Sequence, residues 1–167
     1  PGSYTGLRIG VATAKGLAVG NDAPLIAETT LELLAYTVKS SVEVEKDALI
    51  CPMIDARRME VYSQLFDVDV KEAGETQAEI ITEDSYKELL QTGKKVYFAG
   101  DGSAKCSGVI TSENAVFVDS IEPDAANMAE LAERRLRNGE FVDVAYFEPF
   151  YLKDFVAKLP KNELIRK

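Results

Sequence analysis

The spacing of apolar positions divides the chain into alternating helical and extended stretches. It predicts a first helix over about Gly6 to Ala18, with Ser3 or Thr5 as its N-cap and Gly20-Asn21 as its C-terminal stop. Pro24-Leu25-Ile26-Ala27 reads as a short strand. Thr29 followed three residues later by Glu32 fits a capping box, and Leu31, Leu34, Ala35 and Val38 then form the stripe of an amphipathic helix. Ser40 to Lys46 is polar and charged, which predicts a boundary between a helical unit at 1–45 and an α/β unit with a tail at 46–167.

The second unit opens with an apolar strand, Ala48 to Ile54, and the turn Asp55-Ala56-Arg57-Arg58 leads into Val61 to Phe66 as a hairpin. Ile80-Ile81 is a weak strand signal, and Ser85 to Gln91 a short helix stopped at Gly93. Val96 to Ala99 reads as a buried strand, Gly100-Asp101-Gly102-Ser103 as a turn, and Val116 to Val118 as another strand. After Pro123-Asp124 comes the clearest helix, Ala125 to Asn138, stopped by Gly139. Met128, Ala129, Leu131, Ala132 and Leu136 make its apolar face, and Glu130, Glu133, Arg134 and Arg137 its polar one. Strands alternating with helices give an α/β layering.

The first helix has an unusual composition. Gly6, Gly10, Ala14 and Ala18 recur every four residues, and each interior glycine costs about 1 kcal/mol of helix propensity. A stripe without side chains permits another backbone to come close. Two readings stand at this point: a helix pressed onto its own sheet, and a contact between subunits.

Composition narrows the function classes. The chain has 167 residues, 46% of them hydrophobic and 28% charged, ordinary usage for a folded domain. No apolar run approaches the ~18 residues of a membrane helix, and no basic-then-apolar start resembles a signal peptide, so a cytoplasmic protein is expected. Nineteen basic against 28 acidic residues give a net charge of −9, which disfavours unaided nucleic-acid binding. The absence of histidine removes His-ligated metals and Ser-His or Cys-His nucleophile pairs. Cys51 and Cys106 read as reduced, buried thiols.

The motifs that could carry chemistry are individually weak. Pro1 to Gly6 is a Gly-rich turn entering a helix, able to hold an anion but lacking the lysine of a P-loop. Gly100 to Ser103 could meet a ligand or simply connect. Asp55 and Arg57 read as a turn ion pair, and Glu28, Glu32, Glu43 and Glu45 as a solvated acidic face. The aromatic tail, with Tyr146, Phe147, Phe150, Tyr151 and Phe155, reads as rings pinning an extended segment to the body.

Taken in order, these motifs resemble one family. Pro1-Gly2-Ser3-Tyr4-Thr5-Gly6-Leu7-Arg8-Ile9-Gly10 with Ala12 to Ala18 is similar to the signature of the TsaB (YeaZ) family, the partners of TsaD in making tRNA threonylcarbamoyladenosine. Thr30-Leu31-Glu32, Asp55-Ala56-Arg57 with Glu60-Val61-Tyr62, Gly100-Asp101-Gly102 and Pro149-Phe150-Tyr151-Leu152-Lys153 continue the match, with Tyr4 and Lys153 as departures.

The resemblance implies the fold shared by actin, chaperone ATPases and sugar kinases, here expected without the first strands of its N-terminal lobe. It implies a non-catalytic scaffold with no cofactor and no metal, which binds a TsaD-like paralogue and meets a TsaE-like ATPase and tRNA within the complex. Its implied interface is the first helix: Gly6, Gly10 and Ala14 on one face, Leu7, Val11 and Ala18 flanking, Arg8 and Lys15 at the rim. The same surface can pair with itself as a homodimer. A stand-alone nucleotide-binding enzyme and a glycoprotease-like peptidase are the alternatives, the latter disfavoured by the missing histidine.

Overall fold

A computed structural model describes residues 4–153. Its centre is a five-stranded sheet in the order β3-β2-β1-β4-β5, built from β1 (Leu49–Asp55), β2 (Glu60–Ser63), β3 (Gln77–Ile80), β4 (Val96–Ala99) and β5 (Ala115–Val118). β1, β4 and β5 run parallel, while β2 and β3 are antiparallel additions. The helices are α1 (Tyr4–Gly20), α2 (Thr30–Ser41), α3 (Lys87–Gln91) and α4 (Met128–Asn138).

β1 and β4 are continuous apolar runs because both faces of the sheet are covered, as parallel strands require. Ile50, Ile54, Tyr97 and Ala99 point to the face where α2 contributes Leu31, Leu34, Ala35 and Val38. Cys51, Met53, Val96 and Phe98 point to the other, where Leu90, Cys106 and Ile110 close over them. There Phe98 lies between Tyr86 and Phe117, each with its ring centroid 5.2 Å away. Both cysteines are buried and unpaired, and burial pushes the Cys51 thiol up to about 12. Pro52, in the middle of β1, has no N–H to donate. The β1–β2 ladder stops at Met53↔Ser63 and returns only as an Ile50↔Phe66 bridge beyond it.

Local signals set most boundaries. The Thr29 hydroxyl accepts from Glu32 N at 3.0 Å and starts α2 as the sequence predicts. Glu32 does not complete the capping box, because its carboxylate turns to α4. Gly139 (φ 70°) ends α4, and Gly93 (φ 85°) follows α3. Pro24 to Ala27, expected as a strand, pairs among the described residues only through the Leu25↔Val142 bridge. The fourth helix begins as a 3-10 turn at Ala125–Asn127, and only Leu131 of α4 is buried. Leu136, expected in its apolar face, is 52% exposed. Polar links hold α4 instead: Tyr36 to Glu130, Asn127 Nδ2 to Thr37 Oγ1 at 3.1 Å, and Arg134 and Arg135 to Glu32.

The expected acidic face divides. Glu43 and Glu45 are exposed, with Glu45 paired to Lys95, but Glu28 and Glu32 are enclosed beside Arg135.

The turn after β4 is the tightest place in the fold. Gly100 has φ +95°, and a Cβ there would lie 2.5 Å from Met53 O. Gly100→Ala should therefore destabilise the protein by about 2–3 kcal/mol, read as a lower urea midpoint at unchanged slope.

Candidate functional site

α1 stands apart from the sheet. Among its residues only Ala18 is buried, while Ile9, Leu17 and Val19 are 62–66% exposed. The helix ends where Asn21 N and Nδ2 both donate to Leu17 O and Asp22 adopts φ 49°. Gly20 thus stays within the helix, and the left-handed residue comes two positions later. Ser3, one of the two expected caps, lies outside the described residues, as do Pro1 and Gly2 of the anion-holding turn; Thr5 is inside the helix.

Two sides of α1 have different surroundings. On one side Lys15 Nζ donates to Phe147 O at 2.9 Å and Ala145 O at 3.2 Å. Arg8 Nε donates to Tyr151 Oη at 3.2 Å, and Tyr151 stacks on Tyr4 with centroids 4.6 Å apart. The Arg8 guanidinium lies 4.8 Å from the Tyr4 ring centre, a cation–π contact. Val11 and Ala12 line the groove between this side and the C-terminal segment. Arg8 and Lys15, expected to rim an outer surface, are thus engaged internally, where they anchor residues 145–151.

At 100° per residue, Gly6, Gly10 and Ala14 fall on the other side, with Leu17 beside them and Leu7 half-buried at the flank. A Cβ on Gly10 would meet nothing within 4 Å, nor would one on Gly16. Among the described residues nothing is therefore pressed against the helix at Gly10 or Gly16, while Ala18, the last of the small-residue stripe, is buried. Of the tail rings, Tyr151 is pinned as expected, Tyr146 and Phe150 are 85% and 70% exposed, and Phe155 lies outside the described residues.

A second group of residues meets at the end of the sheet. Asp55 N donates to Asp101 Oδ1 at 2.9 Å, and the Asp55 carboxylate accepts from Arg57 N. Lys105 pairs with Asp55 and donates to Glu60 O at 2.7 Å, while Lys153 pairs with Glu60 and lies 5.8 Å from the Tyr62 ring centre. The ion pair of Asp55 is thus with Lys105 and not Arg57, and Lys105 holds its carboxyl below the usual range. Arg57 and Arg58, both with positive φ, turn the chain instead. This is a junction: residues 45 to 93 positions apart in sequence are hydrogen-bonded together. Among the described residues no group of three or more His, Cys, Asp or Glu could hold a metal ion.

Comparison with known proteins places this arrangement. The family model described as "TsaD: tRNA N6-adenosine threonylcarbamoyltransferase" matches residues 1–161. The Escherichia coli (strain K12) "tRNA threonylcarbamoyladenosine biosynthesis protein TsaB" is 31% identical over 98% of this chain and 72% of its own length. The chain belongs to the TsaB family. The Haemophilus influenzae TsaB is 33% identical over the same shares. A solved structure of YeaZ from Pseudomonas aeruginosa matches with a TM-score of 0.70 at 24% identity, over 91% of this chain and 70% of that one, and shows the same fold. In this TsaB-family chain the segments that carry the resemblance lie along α1, at the start of α2 and at the Asp55 junction. Lys105, the cation that joins the junction, carries no motif signal and was legible only from its position one turn after Gly102.

The open space around Gly10 carries a signed prediction. With no neighbour to clash, Gly10→Ala should raise stability by about 0.5–1 kcal/mol through helix propensity alone. A lowered melting temperature would mean that Gly10 packs against the protein itself.

Proposed function

We propose that the protein is a non-catalytic scaffold subunit in tRNA threonylcarbamoyladenosine biosynthesis, the pathway named in its relatives. It docks a TsaD-like paralogue through the α1 face centred on Gly6, Gly10 and Ala14, with Leu7 and Leu17 beside them. The single observation behind this reading is that a glycine-containing helix presents its small side outward, where a methyl group at Gly10 would touch nothing. Such a side fits a helix crossing closely, since ridges from a partner can seat against bare backbone. A TsaE-like ATPase and tRNA join through the complex, and a second copy of the chain can occupy the same face when the paralogue is absent. The negative charge fits a subunit that leaves phosphate contacts to its partners.

Catalysis is assigned to the partner. The chain contains no histidine, Cys51 is held as an unreactive thiol, and Asp55 is committed to Lys105. The purified protein should therefore neither turn over ATP nor cleave peptides by itself. Either activity would favour the alternative readings of a nucleotide-binding enzyme or a peptidase.

Ala14→Phe tests the docking face most cleanly, because it adds volume without replacing a helix glycine. It should weaken co-purification with the TsaD-like paralogue at least about tenfold while leaving thermal stability nearly unchanged. A folded variant that still pairs normally places the interface elsewhere.

A further inference from the structure

Glu28 lies in the connection from α1 to α2, and its side chain is 1% exposed; that of Glu32, in the first turn of α2, is 8% exposed. Both carboxylates converge on Arg135 of α4, whose Nε is 2.8 Å from Glu28 Oε1 and whose Nη2 is 2.5 Å from Glu32 Oε2. Further out, Arg134 Nη2 reaches Glu32 Oε1 at 2.7 Å, and Arg135 Nη1 reaches the half-exposed Glu140 at 3.2 Å. These are the charged groups that face Glu28 from α2, from α4 and from the residues after it. The enclosed part holds two carboxylates against one guanidinium: Glu28 Oε1 is paired with Arg135 Nε, while Glu28 Oε2, also shut off from water, has no hydrogen-bond partner among the described residues. An excess buried charge with an unsatisfied oxygen is expensive, and taking up a proton relieves both. A proton on Glu28 turns an orphaned acceptor into a donor beside the Glu32 carboxylate.

We infer that Glu28, Glu32 and Arg135 form a proton-linked latch that fastens α4 and the segment after it to the start of α2 when Glu28 is protonated, and loosens when the proton leaves. Burial, and then the neighbouring Glu32, push Glu28 up from its ordinary 4.5 to about 7, against the opposing pull of Arg135. The raised value fixes the sign. The contribution of Glu28 to stability is fully present below 4.5 and is lost as pH rises through about 7. α4 is suited to such control because Leu131 alone anchors it in the core.

The direct test is a carbon-13 NMR titration of the Glu28 carboxyl in the unmodified chain. A midpoint within about one unit of 7 is expected, and one near 4.5 overturns the latch. The second test is amide exchange from Leu131 to Val142, corrected for intrinsic rates. Between pH 6 and 8, protection there should fall about tenfold in the unmodified protein and stay level in Glu28→Gln, whose neutral amide keeps a donor in place. Equal pH dependence in the two proteins overturns the proposal. If Glu28→Gln does not fold, the titration of the unmodified chain decides alone.

Discussion

Everything in this fold depends on covering both faces of the β1–β4 pair. Ile50, Cys51, Met53, Val96, Phe98 and Ala99 are fully shielded from water, and side chains that alternate above and below a strand can be shielded only if each face has its own lid. α2 is one lid, and the α3 region with the Ala104–Cys106 turn is the other. The tight turn at Gly100 follows from the same demand. To bring Cys106 and Ile110 over one face directly after β4, the chain must graze the backbone of β1 at Met53 and Ile54. Glycine at 100 and 102 is the local answer to a packing problem set by the whole sheet.

α1 has no part in that core. It is held to the described body by hydrogen bonds from Lys15 and Arg8 and by one ring stack, so its orientation is set by the C-terminal segment and not by the sheet. That leaves the surroundings of Gly10 and Gly16 open among the described residues.

Elements that depend on local rules were legible from the sequence. The apolar runs of β1 and β4, the Thr29 cap, the α2 stripe and the Gly139 stop all appear where spacing predicts, because each is decided within a few residues. What the sequence did not disclose depends on partners far along the chain. Glu28 and Glu32 looked like a solvated face because nothing nearby neutralises them, and their cations sit more than a hundred positions away. Leu136 looked like core because it keeps helical register with Leu131, yet α4 touches the body over less than one full face. Arg8 and Lys15 looked like an outer rim because their acceptors are main-chain carbonyls and a tyrosine hydroxyl, which no pattern of residue types announces. The resemblance to a known family rested on the motifs themselves, and three of them, around Asp55, Asp101 and Lys153, proved to be neighbours in space at one junction.

The two cysteines offer an unplanned reporter. Cys51 on β1 and Cys106 on the turn after β4 are both sealed in the same half of the core, and burial keeps both protonated. A thiol reagent therefore has no foothold on the native molecule, since it needs a thiolate and a path to reach it. Reaction can proceed only when the α3 side lifts from the sheet, so the rate of labelling measures how often that lid opens. The protein carries its own clock for the breathing of one face, without a tag or an introduced probe.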